Sequence, residues 1–184
     1  MNDQALTETL VSKEIVYKGV IITLEHWDVT LPNGDHALRE VATHPGASAV
    51  VALDADGNLI MVRQMRIAVG RLTAEIPAGK LDSPTEDPLD CAKRELSEET
   101  GLEAARWEKL TCMETTPGFC NERIHLYLAT ELRQGAAHPD EDEFVDLLRI
   151  PLGEAVARVM DGTFRDGKTC LGIMMAAARF ASSN

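Results

Sequence analysis

The sequence predicts an α+β fold, in which strands joined mainly by hairpins form a mixed sheet and a few helices pack against it. Three observations carry that expectation. Short runs rich in β-branched residues recur along the chain and are bounded by turn residues. Helical periodicity is confined to residues 88–100 and to two segments near the end. The chain has 184 residues, 45% of them hydrophobic, which suits a single domain 1–184 with a real core.

The first ten or so residues are polar enough for a frayed terminus. Strand character runs from Ile15 to Leu31, and Pro32-Asn33-Gly34-Asp35 then reads as a turn, Asn-Gly being the strongest hairpin dipeptide. The return strand covers Leu38–Val41. Ala47–Leu53 reads as a short buried strand, Asp54–Asn58 as a tight turn and Leu59–Gln64 as the partner strand. Asp54, Asp56 and Asn58 alternate as in a calcium loop, but no glycine or distal glutamate follows at that spacing, so a plain turn is expected. Further strands are expected at Trp107–Met113, Ile124–Thr130 and Val145–Ile150. Helices follow at Leu152–Met160 and Lys168–Phe180, the last with a core-facing stripe of Leu171, Met174, Met175 and Ala178.

The central helix is the most informative element. Pro88 suits a first helical turn, Leu89–Thr100 lacks glycine and proline, and Gly101 stands where a helix stops. Glu95, Glu98 and Glu99 fall on one face, while Leu89, Ala92 and Leu96 face a core. Like charges so spaced repel mildly, and a hard divalent cation such as Mg²⁺, which prefers oxygen ligands, relieves the repulsion. The alternative is a solvated acidic face with Arg94 paired to Glu98 at i+4.

Bulk properties narrow the function classes. A net charge of −12 argues against a nucleic-acid or anionic-membrane partner, because both recruit basic patches. It leaves phosphorylated small molecules open, since these meet local ions and a few arginines. No apolar run of about 18 residues occurs and the start is polar, which predicts a cytoplasmic protein without a membrane anchor. Cysteines 91, 112, 120 and 170 form no CxxC pair, so free buried thiols are expected rather than zinc or disulfides.

The segment Arg94-Glu95-Leu96-Ser97-Glu98-Glu99-Thr100-Gly101-Leu102, preceded by Glu86 and Gly79, resembles the signature of the Nudix hydrolases. Six residues separate Gly79 from Glu86 where the family pattern has five, as a loop one residue longer would give. Val62–Arg66, Glu75–Gly79 and Thr116-Pro117-Gly118-Phe119 are similar to segments of the ADP-ribose pyrophosphatase subgroup, and Pro117 lies fifteen residues beyond Leu102. The resemblance implies an α/β/α sandwich around a mixed sheet. It also implies hydrolysis of ADP-ribose, or of a related nucleotide sugar such as ADP-glucose or GDP-mannose. An ADP-ribose sensor that does not cleave is the alternative from another class.

The resemblance further implies roles for individual residues. The Ala78 carbonyl and Glu95, Glu98 and Glu99 would hold two or three Mg²⁺ or Mn²⁺ ions. Arg66, Glu75, Pro117, Gly118 and Glu122 would meet the small-molecule substrate. In the acidic run at 139–143, Glu141 would be the catalytic base and Glu143 a metal ligand, or the two exchanged. Glu98 would share the catalytic work. The subgroup's dimers imply a homodimer built on the N-terminal strands at about 13–41, with the catalytic core in 42–184.

Overall fold

The computed structural model describes residues 3–83, 85–135 and 145–181. The chain divides into two compact units, one of Met1–Gly46 with Glu114–Arg123, the other of Ala47–Met113 with Ile124–Asn184.

The first unit carries an antiparallel sheet of β1 (Thr9–Lys18), β2 (Thr23–Thr30) and β3 (His36–Thr43), in that order. The continuous strand expected over 15–31 is instead a hairpin broken at Gly19, whose N–H donates to the Ile22 carbonyl at 2.9 Å. A Cβ at Gly19 would lie 2.9 Å from the Tyr17 ring and 3.0 Å from that carbonyl, so only glycine makes this turn without displacing a neighbour. Strand structure also begins at Thr9, inside the segment expected to fray. The Asn33-Gly34 turn is present, with Gly34 at φ +91° and the Asn33 amide donating to Asp35. Every residue of β1 is exposed, including Leu10, Val11, Ile15, Val16 and Tyr17.

The second unit is organised around β4 (Ala47–Leu53), all of whose residues are buried. β4 lies between β5 (Asn58–Arg66), antiparallel, and β9 (Arg123–Gln134), parallel. With β8 (Leu102–Glu114) beside β9 and β10 (Asp146–Pro151) beside β5, the order is β10-β5-β4-β9-β8. Two short strands absent from the sequence reading complete the sheet: β6 (Arg71–Glu75) on β5 and β7 (Ala78–Lys80) on β4. The turn at Asp54 is the plain one expected, its carboxylate accepting from the Asp56 and Asn58 N–H groups.

Alternation along β4 sends its side chains into two cores. Val50 and Ala52 join Ala92 and Leu96 of α1 (Pro88–Thr100). Ala49, Val51 and Leu53 join Ala155 of α2 (Leu152–Met160) with Ile173 and Ala176 of α3 (Gly167–Ala181). The result is an α/β/α arrangement around a mixed sheet, as expected. The stripe expected on α3 is corrected. Leu171 and Met174 are exposed, and the buried side is Thr169, Gly172, Ile173 and Ala176. Gly172 decides this register, because a Cβ there would come within 2.8 Å of Val51 and 3.2 Å of Ile76. The smallest face, not the most hydrophobic one, approaches the sheet.

The four cysteines are free, but only Cys91 is buried; Cys112 is exposed on β8, contrary to the expectation of buried thiols. Among the described residues, no helix is long and apolar enough to cross a membrane.

Candidate active site

Helix α1 is held at both ends by its own sequence. The Asp87 carboxylate accepts from the Leu89 N–H at 2.8 Å, Pro88 opens the first turn, and Gly101 closes the last in the left-handed region at φ +68°. Ala92 and Leu96 anchor its inner face, as the spacing predicts. The acidic ridge is not a solvated surface: Glu95 and Glu99 are 8% and 6% exposed, and Glu98 is half-buried.

Arg94 gathers the acids around it. Its Nη1 donates to Glu95 Oε1 at 2.6 Å and to Glu98 Oε2 at 3.0 Å, while Nη2 reaches Glu86 Oε1 at 3.4 Å and the Lys80 carbonyl at 3.2 Å. Partial burial would lower the Arg94 pKa, but the Glu95 charge and hydrogen bond outweigh it and drive the pKa far upward. Glu86, at the end of the longer loop, thus still reaches the helix.

The Glu99 carboxylate accepts from the Ala78 N–H at 3.1 Å, which ties the start of β7 to the last turn of α1. A Cβ on Gly79 would fall on the Glu95 carboxylate, so glycine at this position makes room for that acid. Among the described residues, no three acidic, histidine or cysteine side chains stand gathered as a cation cage. Glu95 and Glu98 nevertheless reach one nitrogen from two sides, so both can reach a common cation. An all-oxygen donor set of this kind suits a hard divalent ion.

A second charged cluster surrounds Glu75, at the end of β6. Arg66 binds it in a fork, Nε to Oε1 at 2.9 Å and Nη2 to Oε2 at 2.8 Å. Thr73 Oγ1 donates to Oε1 at 2.6 Å, and Lys168 Nζ to Oε2 at 2.5 Å. Burial would raise the Glu75 pKa, but the Arg66 hydrogen bonds, the Lys168 charge and the Thr73 hydroxyl together hold it at about 2. The Glu75 hydrogen bonds raise the Arg66 pKa against the effect of its burial, and the charges of Glu75, Glu99 and Asp166 add in the same direction. From Glu75 the chain passes to Ile76, whose N–H donates to buried Thr169 Oγ1 at 3.0 Å, and then to Pro77, whose carbonyl accepts from Val50 N–H at 2.8 Å.

Residues 42–168 match the family model described as the NUDIX domain. The chain belongs to the Nudix family. It is 42% identical over 172 residues to an ADP-ribose pyrophosphatase of Bacillus subtilis (strain 168), covering 92% of each chain. It is also 42% identical over 168 residues to a methanol dehydrogenase activator of Bacillus methanolicus, covering 90% of each. A crystal structure of an ADP compounds hydrolase superposes with a TM-score of 0.84 over 97% of both chains, at 22% identity, which establishes a shared fold.

In this Nudix chain, Arg66, Glu75, Ala78, Glu95, Glu98 and Glu99 all lie in the second unit. The remaining predicted substrate residues lie in the first. Pro117 and Gly118 form a turn closed by the Phe119 and Cys120 N–H groups on the Thr116 carbonyl, at 3.1 and 2.9 Å. The Glu122 carboxylate sits 3.5 Å from His44 Nδ1. Glu141 and Glu143 lie outside the described residues. Sequence reasoning missed Thr73, Asp166, Lys168 and Thr169. The local signal for the last three was the Asp166-Gly167-Lys168-Thr169 helix start, where Asp166 accepts from the Thr169 N–H at 3.1 Å. Nothing local ties that start to Glu75, 93 residues earlier.

Proposed function

We propose that this Nudix chain hydrolyses the diphosphate of ADP-ribose, or of a closely related nucleotide sugar, to AMP and the sugar phosphate. The observation that carries the proposal is the buried acidic ridge of α1, held by Arg94 and cleared by Gly79, in a chain 42% identical to an ADP-ribose pyrophosphatase. Glu95, Glu98, Glu99 and the Ala78 carbonyl are the residues proposed to hold Mg²⁺ or Mn²⁺. Bound there, two or three ions would supply positive charge to the diphosphate oxygens and acidify the attacking water.

The protein's own groups account for the rest. Arg94 fixes the rotamers of Glu95 and Glu98, so the ridge is preorganised. Arg66 is assigned to the diphosphate, because a guanidinium matches phosphate oxygens in pairs. Glu141 takes the proton from the water at a carboxylate oxygen while Glu143 completes the ion site, or the two are exchanged. The water oxygen bonds to one phosphorus as the bridging P–O bond breaks. Pro117, Gly118 and Glu122 are proposed as substrate contacts.

The exposed apolar residues of β1 support a homodimer formed through the first unit, and the net charge of −12 agrees with a small-molecule substrate rather than a nucleic acid; the cytoplasm is proposed as its compartment. The test is a panel of ADP-ribose, ADP-glucose and GDP-mannose with Mg²⁺ and Mn²⁺, read by release of nucleoside monophosphate. Fastest release of AMP from ADP-ribose supports the assignment. Tight binding without turnover would replace it with the sensor reading. The equal identity to the methanol dehydrogenase activator supports a second reading, in which the same hydrolysis serves a dehydrogenase. Adding the chain to a methanol dehydrogenase, with and without Glu98→Gln, decides that question.

A further inference from the structure

The Glu75 carboxylate is 4% exposed and accepts four hydrogen bonds, two on each oxygen. That saturates a carboxylate, whose two oxygens offer about four acceptor sites. On Oε1 the donors are Arg66 Nε and Thr73 Oγ1; on Oε2 they are Arg66 Nη2 and Lys168 Nζ. If Arg66 turns away, each oxygen still keeps one donor and the charge keeps one cation. Without Lys168, the same movement would leave a buried carboxylate with a single neutral partner, a state that strongly disfavours any departure of Arg66.

Lys168 is itself held in place. Its Nζ is 3.0 Å from Asp166 Oδ2, which also accepts from Thr169 Oγ1 at 2.5 Å, and its side chain is only 11% exposed. Arg66, by contrast, is 42% exposed and commits only Nε and Nη2 to Glu75. The cluster therefore contains one fixed cation and one accessible cation on the same acid.

We infer that Lys168 is a positioning residue, the reserve counter-ion of Glu75, whose presence lets Arg66 share its guanidinium with the diphosphate of a bound substrate. Thr73 plays the matching neutral part on the other oxygen. The inference rests on the assignment of Arg66 to the diphosphate made above.

The test compares full-length wild type with Lys168→Met, Thr73→Val, Arg66→Ala and the two double variants containing Arg66→Ala. Binding of methylenediphosphonate and of ADP-ribose is measured calorimetrically in EDTA, and KM and kcat for ADP-ribose in Mg²⁺. Lys168→Met is expected to weaken both ligands and raise KM about tenfold, the scale of one charge-assisted contact, with kcat changed less than about threefold. Thr73→Val, on a different element, is expected to move in the same direction by a smaller factor and supplies the answer if Lys168→Met does not fold. In the Arg66→Ala background both effects should shrink below about twofold, because the two residues act through Arg66.

Wild-type affinity in the folded variants, or penalties that add in full to that of Arg66→Ala, would overturn the inference. Wild type that binds methylenediphosphonate but not ADP-ribose would overturn the nucleotide assignment while Lys168 is still judged on the simpler ligand. Wild type that binds neither in EDTA and releases no AMP from ADP-ribose in Mg²⁺ would overturn both; wild type that turns over in Mg²⁺ without binding in EDTA leaves Lys168 judged on the KM series alone.

Discussion

Two carboxylates carry most of what single residues can test. Glu99 is buried and accepts from the Ala78 N–H, a bond that a glutamine oxygen also accepts, so Glu99→Gln should leave the fold intact. Turnover of ADP-ribose in excess Mg²⁺ should fall by on the order of 10²–10³, the scale of a lost transition-state stabiliser, with the melting temperature nearly unchanged. Glu75 makes a prediction about pH. Its pKa is about 2 in the folded chain against an ordinary 4.5, so the stability it contributes is complete above about 4.5. As pH falls from there toward 2, the unfolded chain takes the proton first and that contribution is lost. Urea unfolding of wild type and Glu75→Gln at pH 6, 4 and 3 should show a steeper decline in wild type; parallel declines would contradict the cluster geometry. Glu99 was legible from its helix spacing, but the surroundings that set the Glu75 pKa were not. The sequence pointed to Arg66 and Glu75, but the lysine and threonines that complete their surroundings come from other elements and carry no spacing signal.

At the scale of the element, punctuation made the sequence readable and its absence made it misleading. Pro88 and Gly101 bracket α1, Asp54–Asn58 separates β4 from β5, and Pro151 precedes α2, so these bounds agree with the structure to within a residue or two. Gly19 was hidden among Val20, Ile21 and Ile22, whose strand preference continues through a turn. The three-residue β7 is too short to show periodicity. Helix α3 failed for a different reason, since hydrophobicity favours its methionine side whereas closeness of approach favours glycine. Gly172→Ala therefore gains up to about 1 kcal/mol of helix propensity but inserts a methyl against Val51, Ile76 and Leu126. Overpacking costs about 1–3 kcal/mol, so a net loss in chemical denaturation is expected. Leu171→Gln, on the exposed side, should stay within about 0.5 kcal/mol of wild type.

For the molecule as a whole, the family and the α/β/α core were legible because the signature helix combines a structural and a chemical pattern in one short segment. The placement of Glu114–Arg123 in the first unit was not, since that segment belongs with strands far earlier in the chain. Ile15→Glu, placed on a strand with every residue exposed, should convert the proposed dimer to a monomer in sedimentation or light scattering without unfolding the second unit's core. Wild-type mass unchanged at the monomer value would remove the dimer. The open apolar strand β1 has a practical consequence. If it is covered only by a second copy, dilution uncovers it, so the melting temperature should rise with protein concentration and stocks kept too dilute should be the ones that precipitate.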